Sequence, residues 1–323
     1  MRRDIVHEGA TNLKYEIREI VGVAREVRGL GQPVTWENIG DPIEKGEVLA
    51  PWIRDILHEL LDQPRSFGYC DTAGVPDTRA FLADLVNQRE GGAQITPEDL
   101  LFFNGVGDAV ARVYGFLKRE ARILGPSPAY STHSSAEGAH SGYSHVTYDL
   151  DPHNGWMPNV DDIRNKVKYN DAIAGILLLS PDNPTGAVYP REVLDEIVKI
   201  AREHDLFIIA DEIYAHITYP GQPHLHLSQW VQDVPGIAMR GISKEYPWPG
   251  ARCGWIEIIN RRRDANFATY AESLLAAKRL EVCSTTLPQM SIPRVFGDPR
   301  YKDHLARRAG IFAARAEEAV RAF

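Results

Sequence analysis

The chain has 323 residues, 44% hydrophobic and 25% charged, with 26 Gly, 21 Pro and 3 Cys, a balance that excludes a disordered, collagenous or disulfide-stapled chain. At about 150 residues per domain, the length allows roughly two domains with a sizeable core. Acidic groups outnumber basic ones 44 to 36, and the net charge of −8 repels phosphate backbones and anionic lipid, so neither nucleic acid nor a membrane is an expected partner.

The opening residues, Met1 to Glu8, lack the apolar stretch of a signal peptide. Residues 79–90 carry apolar groups at 81, 82, 85 and 86, which predicts a helix stopped by Gly91-Gly92. Thr96-Pro97-Glu98-Asp99 then turns the chain into a short strand, Leu100 to Phe103, followed by the glycine-rich turn Asn104-Gly105-Val106-Gly107 and a helix. Ile173 to Leu179 is a continuous apolar run of buried-strand type, too short to span a bilayer. The loop Pro181 to Gly186 follows it, then a helix opened by Pro190 and a second buried strand, Leu206 to Ala210. These form a parallel β-α-β unit, with ligands expected at the carboxyl ends of the strands, beside Asn183 and Asp211-Glu212-Ile213-Tyr214.

His224-Leu225-His226 has the alternation of a strand with two histidines on one face, an ordinary polar face unless a third metal ligand stands nearby, and the sequence shows none. A third strand, Ile237 to Ile242, delivers Ser243-Lys244. Arg261 to Arg263 reads as a solvated turn. From Leu305 a helical stripe continues through 309, 312, 316, 319, 320 and 323 and stops without a cap, so a truncated chain is expected. Cys70, Cys253 and Cys283 contain no Cys-x-x-Cys pair, which signals neither a disulfide framework nor a zinc site; no metal is expected, and the location expected is a reducing, cytoplasmic one.

The polar residues at these strand ends share a chemical logic. Burial and nearby cations lower an amine's pKa, so a lysine at the end of a buried strand is either a candidate Schiff-base nucleophile or a solvated strand terminus. A pyridine-type electron sink needs a carboxylate on its ring nitrogen, which Asp211 can supply, and donors to its ring hydroxyl, which Asn183 and Tyr214 can supply. A phosphate would find backbone N–H groups at Gly105 to Ala109 and a cation in Arg252.

Asn183-Pro184-Thr185-Gly186, Asp211-Glu212-Ile213-Tyr214 and Ser243-Lys244 followed by Arg252 and Gly254-Trp255 resemble, in order and interval, the signature of fold-type I, class I/II aminotransferases. The likeness runs from about residue 12 to about residue 310. It implies pyridoxal 5′-phosphate as cofactor and an α/β fold, a three-layer α/β/α large domain with a mostly parallel sheet. The arm would span residues 1–42, the cofactor-binding domain 43–275, and linking helices with the start of a small domain 276–323. The resemblance makes Lys244 the aldimine-forming lysine and proton carrier, Asp211 the pyridinium partner, and Asn183 and Tyr214 the contacts to the ring hydroxyl. Gly105, Val106 and Gly107 with Ser243 and Arg252 would hold the phosphate, Tyr130 would stack on the ring, and Tyr69 would reach the phosphate of a neighbouring subunit, which implies a homodimer with shared active sites. Gly241 stands where many relatives have a phosphate-binding serine, and Glu245 and Trp248 are given no role. The family's arginine for the substrate α-carboxylate lies in a carboxy-terminal domain, and no residue here takes that place.

Within the family, Tyr15-Glu16-Ile17-Arg18, Asn38-Ile39-Gly40-Asp41-Pro42, Gly68-Tyr69-Cys70-Asp71 and Asn104-Gly105-Val106 are most like the alanine aminotransferase group. That likeness implies ping-pong transfer between alanine and 2-oxoglutarate, with Tyr15, Arg18 and Gly40 at the substrate. Two other functions keep the same cofactor pocket: a C–S lyase or other β-elimination enzyme, and a binding protein without turnover.

Overall fold

The computed structural model describes residues 6–13, 16–36 and 40–322, the side chains of residues 11 and 16–18 apart. Eight strands form its sheet: β1 (Leu100–Phe103), β2 (Arg122–Ser127), β3 (Thr147–Asp151), β4 (Met157–Pro158), β5 (Ile173–Leu179), β6 (Phe207–Asp211), β7 (Gly236–Gly241) and β8 (Gly254–Ile259). Their order is β1-β8-β7-β6-β5-β2-β3-β4, with β3, β2, β5, β6 and β7 parallel and β1–β8, β7–β8 and β3–β4 antiparallel.

Strand side chains alternate between faces, and here each face has its own core. Leu100, Phe102, Ile176, Leu178, Ile208 and Ala238 point into one, against helices Pro51–Leu61, Pro76–Asn87, Arg191–Glu203 and Thr286–Phe296. Leu101, Phe103, Leu177, Leu179, Ile209 and Ile237 point into the other, against helices Val106–Gly115 and Ala265–Arg279. The result is the expected helix-sheet-helix layering. No helix among the described residues is long and apolar enough to cross a membrane.

Most element boundaries shift for identifiable local reasons. The helix expected over 79–90 runs Pro76–Asn87: Pro76 suits the first turn, and the Asn87 side chain leaves the helix to bond both the N–H and the C=O of Ile95. The strand expected from Leu206 begins at Phe207, because the Leu206 N–H still closes the preceding helix on the Ala201 carbonyl, 2.8 Å away. Asp211 is thereby the last strand residue. The third strand ends at Gly241, and Ile242–Glu245 makes one helical turn that presents Lys244. Pro190 is the N-cap of helix Arg191–Glu203.

One expectation fails: His224 and His226 lie in irregular chain before the short helix Leu227–Trp230 rather than on a strand. The helix expected from Leu305 is present as Arg300–Ala322; it buries Tyr301, His304, Arg308 and Ala309, half-buries Phe312 and Ala316, and leaves Val320 79% exposed.

Ile176 is wholly buried on the central strand. Ile176→Ala should lower the free energy of urea unfolding by roughly 2–5 kcal/mol and Ile176→Val by about 0.5–1.5, read from equilibrium melts.

Candidate active site

The register explains why the polar residues meet. Leu179 pairs with Asp211, Asp211 with Met239, Gly241 with Gly254 and Gly254 with Phe103. The ends of β5, β6, β7 and β1 and the start of β8 therefore share one edge of the sheet. Asn183, Asp211, Lys244, Asn104 to Gly107 and Arg252 are delivered there, with Tyr130 from the segment after β2.

Asp211 is only 4% exposed. Its Oδ1 accepts the Ile213 N–H at 3.1 Å, and its Oδ2 lies 2.9 Å from Nε2 of the buried His133. The His133 ring in turn meets those of Tyr114 and Tyr130 edge-on, with centroids 6.1 and 6.5 Å away. A buried carboxylate oriented in this way can hold a proton on a basic nitrogen opposite it.

Lys244 donates from Nζ to the Gly40 carbonyl at 2.7 Å, and its ammonium stands 5.9 Å from the centre of the Tyr214 ring. Burial, reinforced by the Arg308 guanidinium and opposed by Asp41 and Glu47, pushes its pKa below the ordinary lysine value. The lysine opens on a cavity of about 370 Å³ whose wall includes Gly40, Asn183, Tyr214 and Arg308.

Helix Val106–Gly115 starts at Gly105 with no side chain capping it, so its first N–H groups are available to an anion. Gly105 has φ +89°, and a Cβ there would lie 2.4 Å from Nη2 of Arg252. That guanidinium donates to the carbonyls of Asn104 and Pro249, each at 3.3 Å. Backbone amides and a fixed arginine thus form a cup that a side chain would fill. With the buried carboxylate and the lysine, this donor set fits a phosphorylated pyridine aldehyde.

Tyr69 is 87% exposed. Its neighbour Gly68 accepts a bond from Thr286, adjacent to Thr285, which donates to the Arg252 carbonyl. Ser243 sits in the turn beside Lys244. Tyr15 lies outside the described residues, as does the side chain of Arg18, whose backbone belongs to helix Glu16–Gly29.

Three features escaped the sequence reading. His133 stands three residues after Tyr130 at a helix start, a spacing that places both on one side and could have flagged it. Arg308 donates to the main-chain carbonyls of Lys244 and Glu245 and pairs with Glu47, joining elements far apart in the chain. Glu212 brings a third potential metal ligand to His224 and His226, their ligand atoms within 4.8 Å of one another. Arg240 Nη1 stands 3.9 Å from Glu212 Oε2 and 3.3 Å from His226 Nδ1, so a guanidinium packs against the same cluster.

Comparisons with known proteins identify the family. The family described as aminotransferase class I and II matches residues 38–323, and the chain belongs to it. It is 54% identical over 321 residues to an uncharacterized aminotransferase of Methanocaldococcus jannaschii, covering 99% of this chain and 74% of that one. It is 33% identical over 293 residues to the glutamate-pyruvate aminotransferase of Escherichia coli K12, covering 88% of this chain and 69% of that protein. The solved alanine aminotransferase of Pyrococcus furiosus superposes with a TM-score of 0.87 at 28% identity, covering 97% of this chain and 78% of that one. The family depends on pyridoxal phosphate.

Two outcomes are expected from this geometry. Gly105→Ala should leave the fold intact by circular dichroism yet weaken pyridoxal phosphate binding to the apoprotein by about tenfold or more, since strain of roughly 1–2 kcal/mol falls on the cup. Glu245, held well below the ordinary carboxyl range by His216 and Arg240 although burial opposes its ionisation, binds protons less readily folded than unfolded. Its stabilisation is complete above the ordinary value of 4.5 and is lost as pH falls through and below it, so urea midpoints should fall steadily from about pH 5 to pH 3.

Proposed function

We propose that this aminotransferase exchanges the amino group between L-alanine and 2-oxoglutarate. The observation that carries the chemistry is Lys244, an amine of lowered pKa that faces a cavity and stands at the same sheet edge as the buried carboxylate of Asp211. The names of the relatives in Escherichia coli and Pyrococcus furiosus support the choice of substrates.

The residues would take the following roles. The amides of Gly105 to Gly107, Ser243 and Arg252 would hold the cofactor phosphate. Asp211, oriented by His133, would keep the proton on the pyridine nitrogen, Asn183 and Tyr214 would bond the ring hydroxyl, and Tyr130 would pack on the ring face. When bound, pyridoxal phosphate supplies the electron sink that makes the substrate α-proton acidic. Lys244 Nζ would take that proton from the α-carbon as a base and, as an acid, deliver it to the cofactor's C4′ carbon. Its lowered pKa makes the neutral amine easier to reach than in an ordinary lysine, which favours the base half of the task. Before that role begins, the bond from Nζ to the Gly40 carbonyl must break, so Gly40 would lie beside the substrate; Tyr15 and Arg18 are proposed as further substrate contacts on the sequence alone. Tyr69 reaches the phosphate of a second copy in a homodimer. The first product leaves before the second substrate binds, so the kinetics are ping-pong.

The test is spectroscopic. The visible band of the purified, cofactor-loaded protein should disappear on adding alanine and return with 2-oxoglutarate, and double-reciprocal plots should be parallel. A band unmoved by every amino acid overturns the proposal, and pyruvate and ammonia formed from a cysteine-type substrate without any keto acid would point to β-elimination.

A further inference from the structure

Behind the site lies a set of buried charges that the proposed reaction does not use directly. Arg240, on β7, is 2% exposed, and Glu212, Glu245 and Glu257 around it are each 1% exposed. Its Nη2 donates to Glu245 Oε1 at 2.8 Å, and its Nη1 stands 3.9 Å from Glu212 Oε2. Glu245 Oε2 accepts the Tyr301 hydroxyl at 2.7 Å, and His216 Nδ1 lies 2.9 Å from its Oε1. Glu212 Oε1 accepts the Leu227 N–H, and its Oε2 lies 2.8 Å from His226 Nδ1. Glu257 is held separately, by Trp255 Nε1 at 3.2 Å and Arg89 at 3.4 Å.

The two carboxylates that face Arg240 are not arbitrary. Glu212 is the residue after Asp211, and Glu245 is the residue after Lys244. One guanidinium therefore spans the two strand ends that carry the chemistry. The helical turn Ile242–Glu245 has no further turn to donate to its carbonyls, and Arg308 donates to those of both Lys244 and Glu245. The backbone of Lys244 is thus pinned from both sides while its Nζ stays in the cavity.

We infer that Arg240 and Glu245 are positioning residues: by joining the neighbour of Asp211 to the neighbour of Lys244, the pair fixes the spacing between the carboxylate and the base. The inference rests on the proposed roles of those two groups. Burying such a pair costs desolvation that a well-packed apolar pair would avoid, and its retention gains meaning from the geometry it imposes.

The experiment compares E245Q with E257Q. In the apoprotein, acetic anhydride labelling of Lys244 read by mass spectrometry against pH reports the state of Nζ without substrate or cofactor. E245Q should move the labelling midpoint up toward the ordinary lysine value of 10.5 as the turn loosens and water reaches the amine. In the loaded enzyme it should lower kcat by about tenfold with KM within about twofold, as misplacement of a catalytic group does. E257Q, which removes a charge from the same cluster but from neither strand end, should lower the melting temperature and leave both readouts as in wild type. If E245Q does not fold, Y301F removes one donor to Glu245 and should shift the midpoint in the same direction by less, as should R240K, which keeps the charge but spans the two carboxylates less well. Variants that lower the melting temperature while leaving Lys244 labelling and kcat unchanged would reduce the cluster to a structural role and overturn the inference. The labelling arm needs no substrate, so an error in the choice of amino acid would show only in the turnover of the wild type.

Discussion

The alignment of strand ends is the constraint on which the rest depends. Parallel neighbours β5, β6 and β7 stop within a residue or two of one another, and antiparallel β8 and β1 begin and end at the same edge. Because a β-strand fixes direction along the chain and alternation across it, five segments separated in sequence deliver their next residues to one edge of the sheet. Two independent apolar cores, one on each face, hold that register, since a slip by one residue would turn each core-facing side chain the wrong way. The site is accurate because the sheet beneath it has little freedom.

Charge is then sorted by face. Asp211 turns toward His133, while Glu212, the next residue, turns toward Arg240 and the histidines. Lys244 and Glu245 divide in the same manner, the lysine to the cavity and the glutamate into the interior. Each buried carboxylate has donors, which is the condition under which ionised groups survive out of water. The last helix takes part through Tyr301 and Arg308, so an element far from the strand ends in sequence is tied to the lysine's own backbone.

Much of this was legible in the sequence, for reasons that differ by residue. The β5-helix-β6 unit announced itself because both strands are buried on two faces and read as unbroken apolar runs. Asn183, Asp211 and Lys244 could be brought to one edge because each ends or closely follows such a run, so topology alone located them, whereas Arg252 came with the family resemblance. Gly105 was visible as part of a turn, although its positive φ and the closeness of Arg252 were not. What stayed hidden depends on contacts between distant segments. Glu245 gave no local signal, because its partners Arg240, His216 and Tyr301 come from three different elements. The two histidines at 224 and 226 alternate as strand residues do, yet irregular chain places them, since Glu212 and the start of helix Leu227–Trp230 claim them first. The final helical stripe was correct in phase but buried only near its start.

The adjacent acids at positions 211 and 212 carry a consequence for how such a chain is read and altered. Exchanging their order to Glu-Asp would leave length, net charge, amino-acid composition and mean hydropathy as they are. It would nevertheless set a longer arm against His133 and a shorter one against Arg240, each off by a methylene in a space packed to near crystalline density. Two residues that any bulk measure counts as equivalent are thus a lock with a handedness, and the information lies wholly in their order.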